Sequence, residues 1–185
     1  MNTPSHFHTI PQNEVPKFLN LIVEIQKGDF NKYEYNHKYG ILELDRVLYG
    51  PTYYPVNYCD VPGTWNSSDN DPLDAVVFAT SHILPGVLVK GRVVGMLEME
   101  DNNETDHKII CVAHKDPRYD HVKTVEDLTP FERKDLKTFM EIYKYAQTGP
   151  GTVKVGEFLG QEKAYDLIEK SVAEYKKKFR EKTVL

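Results

Sequence analysis

The segment GVLVKGRVVGMLEM, residues 86–99, gives the clearest indication of the fold. Its apolar side chains are typical of a buried β-strand, and Gly91 and Gly95 predict bends or bulges within it. Similar but shorter strand-like segments lie along the chain at residues 21–26, 32–36, 41–47, 75–80 and 108–113. Many short strands joined by turns predict a closed or nearly closed β-barrel.

The C-terminal third of the chain has a helical pattern instead. Thr129, Pro130 and Glu132 predict a helix start, because Thr is a good N-cap, Pro suits the first helical position and Glu completes a capping box. The apolar stripe of this helix ends before Gly149, and a second helix is predicted from about residue 161 to residue 179. Strands followed by helices indicate an α+β protein.

The length of 185 residues predicts a single domain, residues 1–185, with residues 1–19 as an irregular lead-in. Residues 49–74 are rich in Pro, Asn, Asp, Ser and Gly, and are predicted to be largely loop. The net charge of −5 argues against nucleic acid and anionic membranes as main partners. Only two cysteines and no visible signal peptide lead us to expect a cytoplasmic protein.

The strongest functional signal is Asp69-Asn70-Asp71-Pro72-Leu73-Asp74. Three carboxylates lie within these six residues, directly before an apolar strand. Because packed carboxylates repel one another, they need a counter-charge, and a hard divalent cation such as Mg²⁺ prefers oxygen ligands. The alternative is an ordinary solvated turn, and this segment alone does not choose between the two.

A second acidic segment, residues 98–106, lies just before Lys108. Taken alone it is typical of a solvated hairpin, but two acidic loops at strand ends can meet at one end of a barrel. Basic and phenolic side chains occur elsewhere, and Lys32 and Glu34 are expected to share one face of a strand. Since Lys, Arg and Tyr bind phosphate oxygens, the combination predicts a site for a phosphate polyanion bridged by Mg²⁺.

These residues resemble the soluble family I inorganic pyrophosphatases, of the prokaryotic type. The family signature D-[G/N]-D-P-x-D corresponds to residues 69–74, and the similarity covers roughly residues 20–180. Further matching segments occur in the family's order: Val23-Glu24-Ile25, Lys32-Tyr33-Glu34, Asp45-Arg46, Tyr54-Pro55-x-Asn57-Tyr58, Asp101 to Lys108, Tyr119-Asp120-His121 and Tyr143-Lys144.

The resemblance implies a mainly β member of the α+β class: a five-stranded OB-like β-barrel with two α-helices in the C-terminal half and additional short strands. It also implies hydrolysis of inorganic pyrophosphate to two orthophosphates by a Mg-activated water or hydroxide that attacks phosphorus in line. Three to four Mg²⁺ ions per active site are implied. The protein would be a homo-oligomer, with a hexamer favoured over a dimer.

The resemblance also implies a role for each matching residue. Asp71 would be the general base on the attacking water. The metal ligands would be Asp69, Asp74, Asp101, Asp106 and Glu34. The residues that bind the phosphates would be Lys32, Arg46, Tyr58, Lys108, Tyr143 and Lys144. Glu24 and Tyr54 would support the site from a second layer.

Two positions depart from the family pattern. Asn70 replaces the usual Gly, and the turn is expected to survive because Asn tolerates left-handed backbone angles. Asn102 replaces an acidic residue and removes one charge near the third predicted metal. The alternative functions are an OB-type nucleic-acid binding module, a hydrolase of other phosphoanhydrides, and a degenerate pyrophosphatase with a structural or regulatory role. The acidic loops do not fit nucleic acid, and the nearly complete carboxylate set does not fit a degenerate protein.

Overall fold

The computed structural model describes residues 9–36 and 39–180, the last of these by its backbone alone. The strands have these bounds: β1 Phe18–Ile25, β2 Asn31–Asn36, β3 Ile41–Val47, β4 Asn57–Asn66, β5 Asp71–Phe78, β6 Leu88–Asp101, β7 Glu104–Thr105, β8 Lys108–Ala113 and β9 Val153–Leu159. The helices are α1 Pro130–Ile142, α2 Tyr145–Thr148 and α3 Gln161–Tyr175, and a π-helical turn, Lys176–Arg180, follows α3.

Five strands close into a barrel in the order β1-β4-β5-β8-β6, because β6 pairs back with β1. The β5–β8 pair is parallel, whereas the other four pairs are antiparallel. Strands β7 and β9 extend β6, and β2 and β3 form a separate two-stranded sheet. The predicted α+β fold with a five-stranded barrel is therefore confirmed.

Strand β6 is 14 residues long, and its first part pairs with β1 whereas its last part pairs with β9. Its register with β8 shifts between Val93 and Gly95, as a bulge at the predicted position requires. A Cβ atom on Gly95 would lie 2.5 Å from the carbonyl oxygen of Leu159, so glycine is needed for β9 to approach β6.

Two apolar cores stabilise this arrangement. The first combines side chains from all five barrel strands, such as Cys59 and Cys111, with Ala164 and Ile168 of α3. The second lies between other faces of the barrel strands and α1, which contributes Leu136, Phe139 and Met140. The two cores lie on opposite faces of the same strands, because successive side chains of a strand point to opposite faces. Both faces of the barrel strands are therefore packed with apolar side chains.

The start of α1 agrees with its prediction. Pro130 is the first residue of the helix, and the Thr129 hydroxyl accepts a hydrogen bond from the Glu132 backbone N–H. Glu132 bonds back to the Thr129 backbone N–H at 2.8 Å, which completes the capping box. No helix within residues 9–36 and 39–180 combines the length and apolar character that crossing a membrane requires.

Other boundaries differ from the prediction. Residues 49–74 are not largely loop, because they include the ten-residue strand β4 and the start of β5. Asn57, a turn-type residue, is fully buried there, and its side-chain oxygen accepts hydrogen bonds from the backbone N–H groups of Lys27 and Ile83. Strand β9 was not predicted. Strand β1 begins at Phe18, inside the predicted lead-in, whose residues 1–8 lie outside the described range.

Candidate active site

The first acidic segment comprises the end of the turn between β4 and β5 and the first four residues of β5. Asn70 has a φ of +62°, the left-handed conformation that was expected of it. Both carboxylate oxygens of Asp69 accept hydrogen bonds, Oδ1 from the Asp71 backbone N–H at 3.0 Å and Oδ2 from the Asn66 side-chain amide at 2.8 Å. These bonds fix the orientation of the Asp69 side chain.

A large bulge in β4 lies opposite the start of β5. Val61 pairs with Leu73, whereas Asn66 pairs with Asp71, so more residues of β4 than of β5 lie between the two pairings. The buried Thr64 hydroxyl fills the gap, donating to the Val61 carbonyl oxygen at 2.6 Å and accepting from the Leu73 N–H at 3.0 Å. Bulges commonly re-aim side chains near active sites.

The second acidic segment forms a hairpin in which a two-residue turn joins β6 to β7. Asp101 pairs with Glu104, and the two residues between them, Asn102 and Asn103, have φ angles of +52° and +64°. Two successive positive φ angles are typical of a type I′ turn, in which Asn is a favoured residue. The asparagine that departs from the family pattern at position 102 therefore serves the backbone of this turn.

The parallel pairing of β5 and β8 brings the two acidic segments together. Asp74 and Lys108 are direct neighbours across this pair. The Lys108 side chain is only 2% exposed, and its ammonium group donates to Asp74 Oδ2 at 2.6 Å and also to Asp106. A single buried ammonium group thus joins one carboxylate from each segment.

The two segments line one cavity of about 200 Å³. The cavity contains six carboxylates and three lysines, so its fixed charge is negative. Its lining comprises Lys32, Tyr58, Asp69, Asp71, Asp74, Asp101, Asn102, Glu104, Asp106, Lys108, Tyr143 and Lys144. Of the residues predicted from sequence, ten line the cavity, while Glu24, Glu34, Arg46 and Tyr54 lie outside this lining.

The β2–β3 hairpin contributes Lys32 to the cavity lining. The Lys32 ammonium group donates to Glu34, as expected for two residues on one strand face, and to Asp45 at 3.3 Å. Arg46 forms an ion pair with the adjacent Asp45. Its Nε is buried and has no hydrogen-bond partner within the part of the chain that the structure describes. Glu34 and Arg46 therefore lie next to the cavity through their contacts with Lys32 and Asp45.

The end of α1 contributes Tyr143 and Lys144 to the same lining. Tyr143 caps this helix, and its hydroxyl donates to Asp101 Oδ2 at 3.2 Å. The Lys144 ammonium group forms an ion pair with the same carboxylate. Helix α1 thus ends where its last side chains reach the second acidic segment.

An aromatic cluster supports these groups from behind. The ring of Tyr54, a residue that is only 2% exposed, lies 5.7 Å from the ring of Tyr58 and 4.7 Å from that of Phe139. Phe139 in turn lies 5.5 Å from Tyr143. Burial is the main cause that raises the pKa of the Tyr58 hydroxyl, and nearby Asp74 raises it further. Tyr58 therefore stays neutral at physiological pH and can donate a hydrogen bond.

A deeper layer contains two nearly buried carboxyl groups, Glu24 and Asp60, at 5% and 7% exposure. One oxygen of each lies within 4.8 Å of the other and of an Asp74 oxygen. Burial, followed by the charge of Asp74, raises the pKa of Glu24 to about 8, although the Tyr35 backbone N–H donates to it at 2.6 Å. Asp60 was missed by sequence analysis because its strand was interpreted as loop; an acidic residue between the apolar Cys59 and Val61 was the available signal.

Burial and mutual repulsion also govern the cavity itself. They raise the pKa of Asp71 to about 7, burial being the larger cause and Asp74 the next. Burial raises the pKa of Asp106 to about 6, although Lys108 opposes the shift. A group of carboxylate oxygens with too few cations is the donor set that a hard divalent metal ion prefers. The carboxylates of this cavity therefore fit a divalent cation such as Mg²⁺.

Comparison with known proteins relates the whole barrel to one family. The family described as inorganic pyrophosphatase matches residues 21–176. The chain is 37% identical to the inorganic pyrophosphatase of Picrophilus torridus over 94% of this chain and 97% of that protein. It is 41% identical to that of Geobacillus stearothermophilus over 86% of this chain and 94% of the relative. The crystal structure of inorganic pyrophosphatase from Thermus thermophilus superposes with a TM-score of 0.86 at 36% identity, covering 95% of this chain and 99% of that one.

Proposed function

The chain belongs to the inorganic pyrophosphatase family, and from this premise we propose that it hydrolyses pyrophosphate to two orthophosphates in the acidic cavity. The observation that carries the proposal is the convergence of six carboxylates and three lysines on one cavity. Carboxylates alone would repel a polyanion, and lysines alone would bind it without activating water. Both together suit a reaction that depends on positioning and charge neutralisation.

The carboxylate excess is the basis for proposing Mg²⁺ as the cofactor, with three to four ions per site. Asp69, Asp74, Asp101, Asp106 and Glu34 would hold these ions. Bound there, Mg²⁺ would neutralise the carboxylates, make a coordinated water more acidic and attract the phosphate groups.

Asp71 is proposed as the general base that accepts a proton from the attacking water, so that the oxygen attacks phosphorus in line. Without bound cations, burial and the charge of Asp74 raise the pKa of Asp71 to about 7, so its carboxylate binds a proton more readily than a free Asp carboxylate does. Unlike Asp74, Asp101 and Asp106, the Asp71 side chain forms no ion pair with a lysine among the described residues. Its carboxylate is therefore available to a water molecule.

The cationic and phenolic residues would bind the phosphates. Lys32, Lys108 and Lys144 are each paired with a carboxylate in this structure. Cations that bind those carboxylates would compete with the ammonium groups, which would then be available to phosphate oxygens. The remaining phosphate ligands would be the Arg46 guanidinium and the hydroxyls of Tyr58 and Tyr143. Glu24 would support Asp74 from below, and Tyr54 would support the Tyr58 ring.

The proposal extends to the setting of the enzyme. We propose a single-domain cytoplasmic homo-oligomer, a hexamer in preference to a dimer, without nucleic-acid or membrane partners. The negative net charge of the chain supports the absence of anionic partners. Leu84 and Leu88 are 61% and 55% exposed, and contact between subunits would remove this apolar area from water. Light scattering of the purified protein measures the number of subunits.

The test of the activity is phosphate release from pyrophosphate, tripolyphosphate and ATP in the presence of Mg²⁺. The proposal predicts that pyrophosphate is hydrolysed fastest. Faster hydrolysis of tripolyphosphate or ATP would identify the chain as a hydrolase of other phosphoanhydrides. Absence of phosphate release, together with salt-dependent binding of a single-stranded oligonucleotide, would favour the nucleic-acid module instead.

A further inference from the structure

Asn66, the last residue of β4, connects the two acidic segments through its side-chain amide. The amide nitrogen donates to Asp69 Oδ2 at 2.8 Å and to the backbone carbonyl oxygen of Thr105 at 3.0 Å. The amide oxygen accepts a hydrogen bond from the Ser68 backbone N–H at 3.2 Å. Both N–H groups and the oxygen of this side chain are therefore engaged, which fixes the plane of the amide.

The partners of Asn66 are next to proposed metal ligands in both segments. Asp69 is one such ligand, and Thr105 directly precedes another, Asp106. We propose that Asn66 is a positioning residue, which holds Asp69 and the backbone before Asp106 at the separation that lets both carboxylates bind one divalent cation. This inference rests on the proposed function, because it concerns the cations that the proposed reaction uses.

The connection made by Asn66 differs from the one made by Lys108. The Lys108 ammonium group bonds to the carboxylates of Asp74 and Asp106 themselves, so a bound cation competes for the same oxygens. Asn66 instead reaches the second segment through a backbone carbonyl, so it occupies no oxygen of Asp106. Its neutral N–H takes one lone pair of Asp69 Oδ2, and the second lone pair of that oxygen stays available to a cation. Asn66 can therefore keep the two segments together in the metal-bound enzyme.

The turn that follows Asn66 has an independent attachment on its outer side. Glu174 of α3 accepts hydrogen bonds from the Ser67 backbone N–H at 3.2 Å and from the Ser67 hydroxyl at 2.8 Å. The ring of Trp65, the residue before Asn66, packs 5.2 Å from that of Phe179. Because these contacts hold the turn against α3 and the π-helical turn that follows it, loss of the Asn66 amide is expected to change the spacing of the carboxylates more than the fold.

The test measures Mg²⁺ binding to the substrate-free protein by calorimetry, and the Mg²⁺ concentration that gives half-maximal pyrophosphate hydrolysis. Asn66→Ala is expected to weaken Mg²⁺ binding by about 10- to 100-fold, the usual effect of removing a group that orients a metal ligand. At saturating Mg²⁺ the kcat of the Asn66→Ala variant should approach that of the parent protein. Asn66→Ser, whose shorter side chain does not span both partners, is expected to weaken binding in the same direction.

Two matched controls keep the backbone groups of these bonds. Ser68→Ala retains the N–H that bonds to Asn66, and Thr105→Ala retains the carbonyl oxygen; both side chains are exposed. Each control should bind Mg²⁺ within about twofold of the parent, well below the change expected at Asn66.

Parent-like Mg²⁺ affinity in both Asn66 variants would overturn the inference, as would equal weakening in the controls. Failure of both Asn66 variants to fold, seen by thermal melting, would show that Asn66 acts on the fold and would overturn it too. A parent protein that binds no Mg²⁺ or releases no phosphate would instead overturn the proposed function.

Discussion

The barrel interior and the acidic cavity are built on the same strands, yet they have opposite energetics. Strand β5 has Asp71 and Asp74 in its first half and Val77 near its end. Strand β8 starts at Lys108 and has Cys111 farther along. Val77 and Cys111 are fully buried in an apolar core, where removal of apolar surface from water favours folding. At the starts of these strands, burial instead raises carboxyl pKa values, which shows that charge there opposes folding.

This contrast indicates how stability and function are divided along each strand. The interior supplies the free energy that keeps the strands in place. The strand starts can then hold carboxylates closer together than isolated groups would lie. Active sites commonly use such locally unfavourable arrangements on a stable scaffold.

The largest expected effect is on catalysis, from Asp71→Asn in the cavity. Removal of the proposed general base should lower kcat for pyrophosphate by about 10²- to 10⁴-fold, while the thermal midpoint stays the same or rises because a repelling carboxylate is lost. Steady-state phosphate release measures the first quantity and thermal melting the second. The matched control is Asp135→Asn on the exposed side of α1, which should retain parent activity. Near-parent turnover by Asp71→Asn would remove Asp71 from its proposed role.

The converse effect is expected from Leu21→Ala in the barrel interior. Leu21 is fully buried, and truncation of such a side chain costs about 2–5 kcal/mol of unfolding free energy. Denaturant unfolding measures this loss, and kcat per folded molecule should stay close to that of the parent. A loss of activity without a loss of stability would show that interior and cavity are not separable in this way.

A third prediction concerns the pH dependence of stability without metal. The pKa of Asp71 is raised from 3.8 to about 7, and that of Glu24 from 4.5 to about 8, so the folded state binds protons more tightly than the unfolded state. Stability in EDTA should therefore fall as pH rises from about 4 to about 8. Mg²⁺ should raise the thermal midpoint more at about pH 8 than at about pH 5, because more of the carboxylates are ionised at the higher pH and can bind the cation. Melting curves with a midpoint that rises with pH in EDTA would contradict the charge assignment.

The smallest effect is expected at the two cysteines. Cys59 and Cys111 are fully buried, and burial raises the pKa of both thiols. Since the thiolate is the reactive form, a thiol reagent should leave native activity unchanged and should modify both residues only after denaturation. Rapid inactivation of the native enzyme, with one thiol modified, would show that the interior near Tyr58 opens more readily than the structure indicates.

Elements controlled by neighbouring residues could be predicted from the sequence. Helix α1 begins at Pro130 because Thr129 and Glu132 form their capping bonds within one turn of the chain. The turn at Asn70 was predicted for the same reason, since its conformation depends on one residue type. The convergence of the two acidic segments was proposed from their positions at strand ends, and the parallel β5–β8 pair brings them together.

Elements controlled by distant pairing could not be predicted in the same way. Strand β4 contains Pro62 and Gly63, which indicate a turn locally and lie in its bulge with β5. The residues before the bulge form a strand because they pair with β1 and β5. Strand β9 depends on its pairing with β6. Asp60 becomes part of the site only because β1 places Glu24, and β5 places Asp74, against it. The catalytic and ligand roles assigned to individual residues stay predictions until the variants are measured.

The most direct test of the central claim is the dependence of pyrophosphate hydrolysis on free Mg²⁺. The purified protein is stripped with a chelator, assayed for phosphate release, and assayed again as Mg²⁺ is added back. Because the cavity carries an excess of carboxylates over lysines, we expect no turnover in the chelator and full recovery on addition of Mg²⁺. Turnover that continues undiminished after complete chelation would contradict the claim that cations make this acidic cavity a site for a phosphate polyanion.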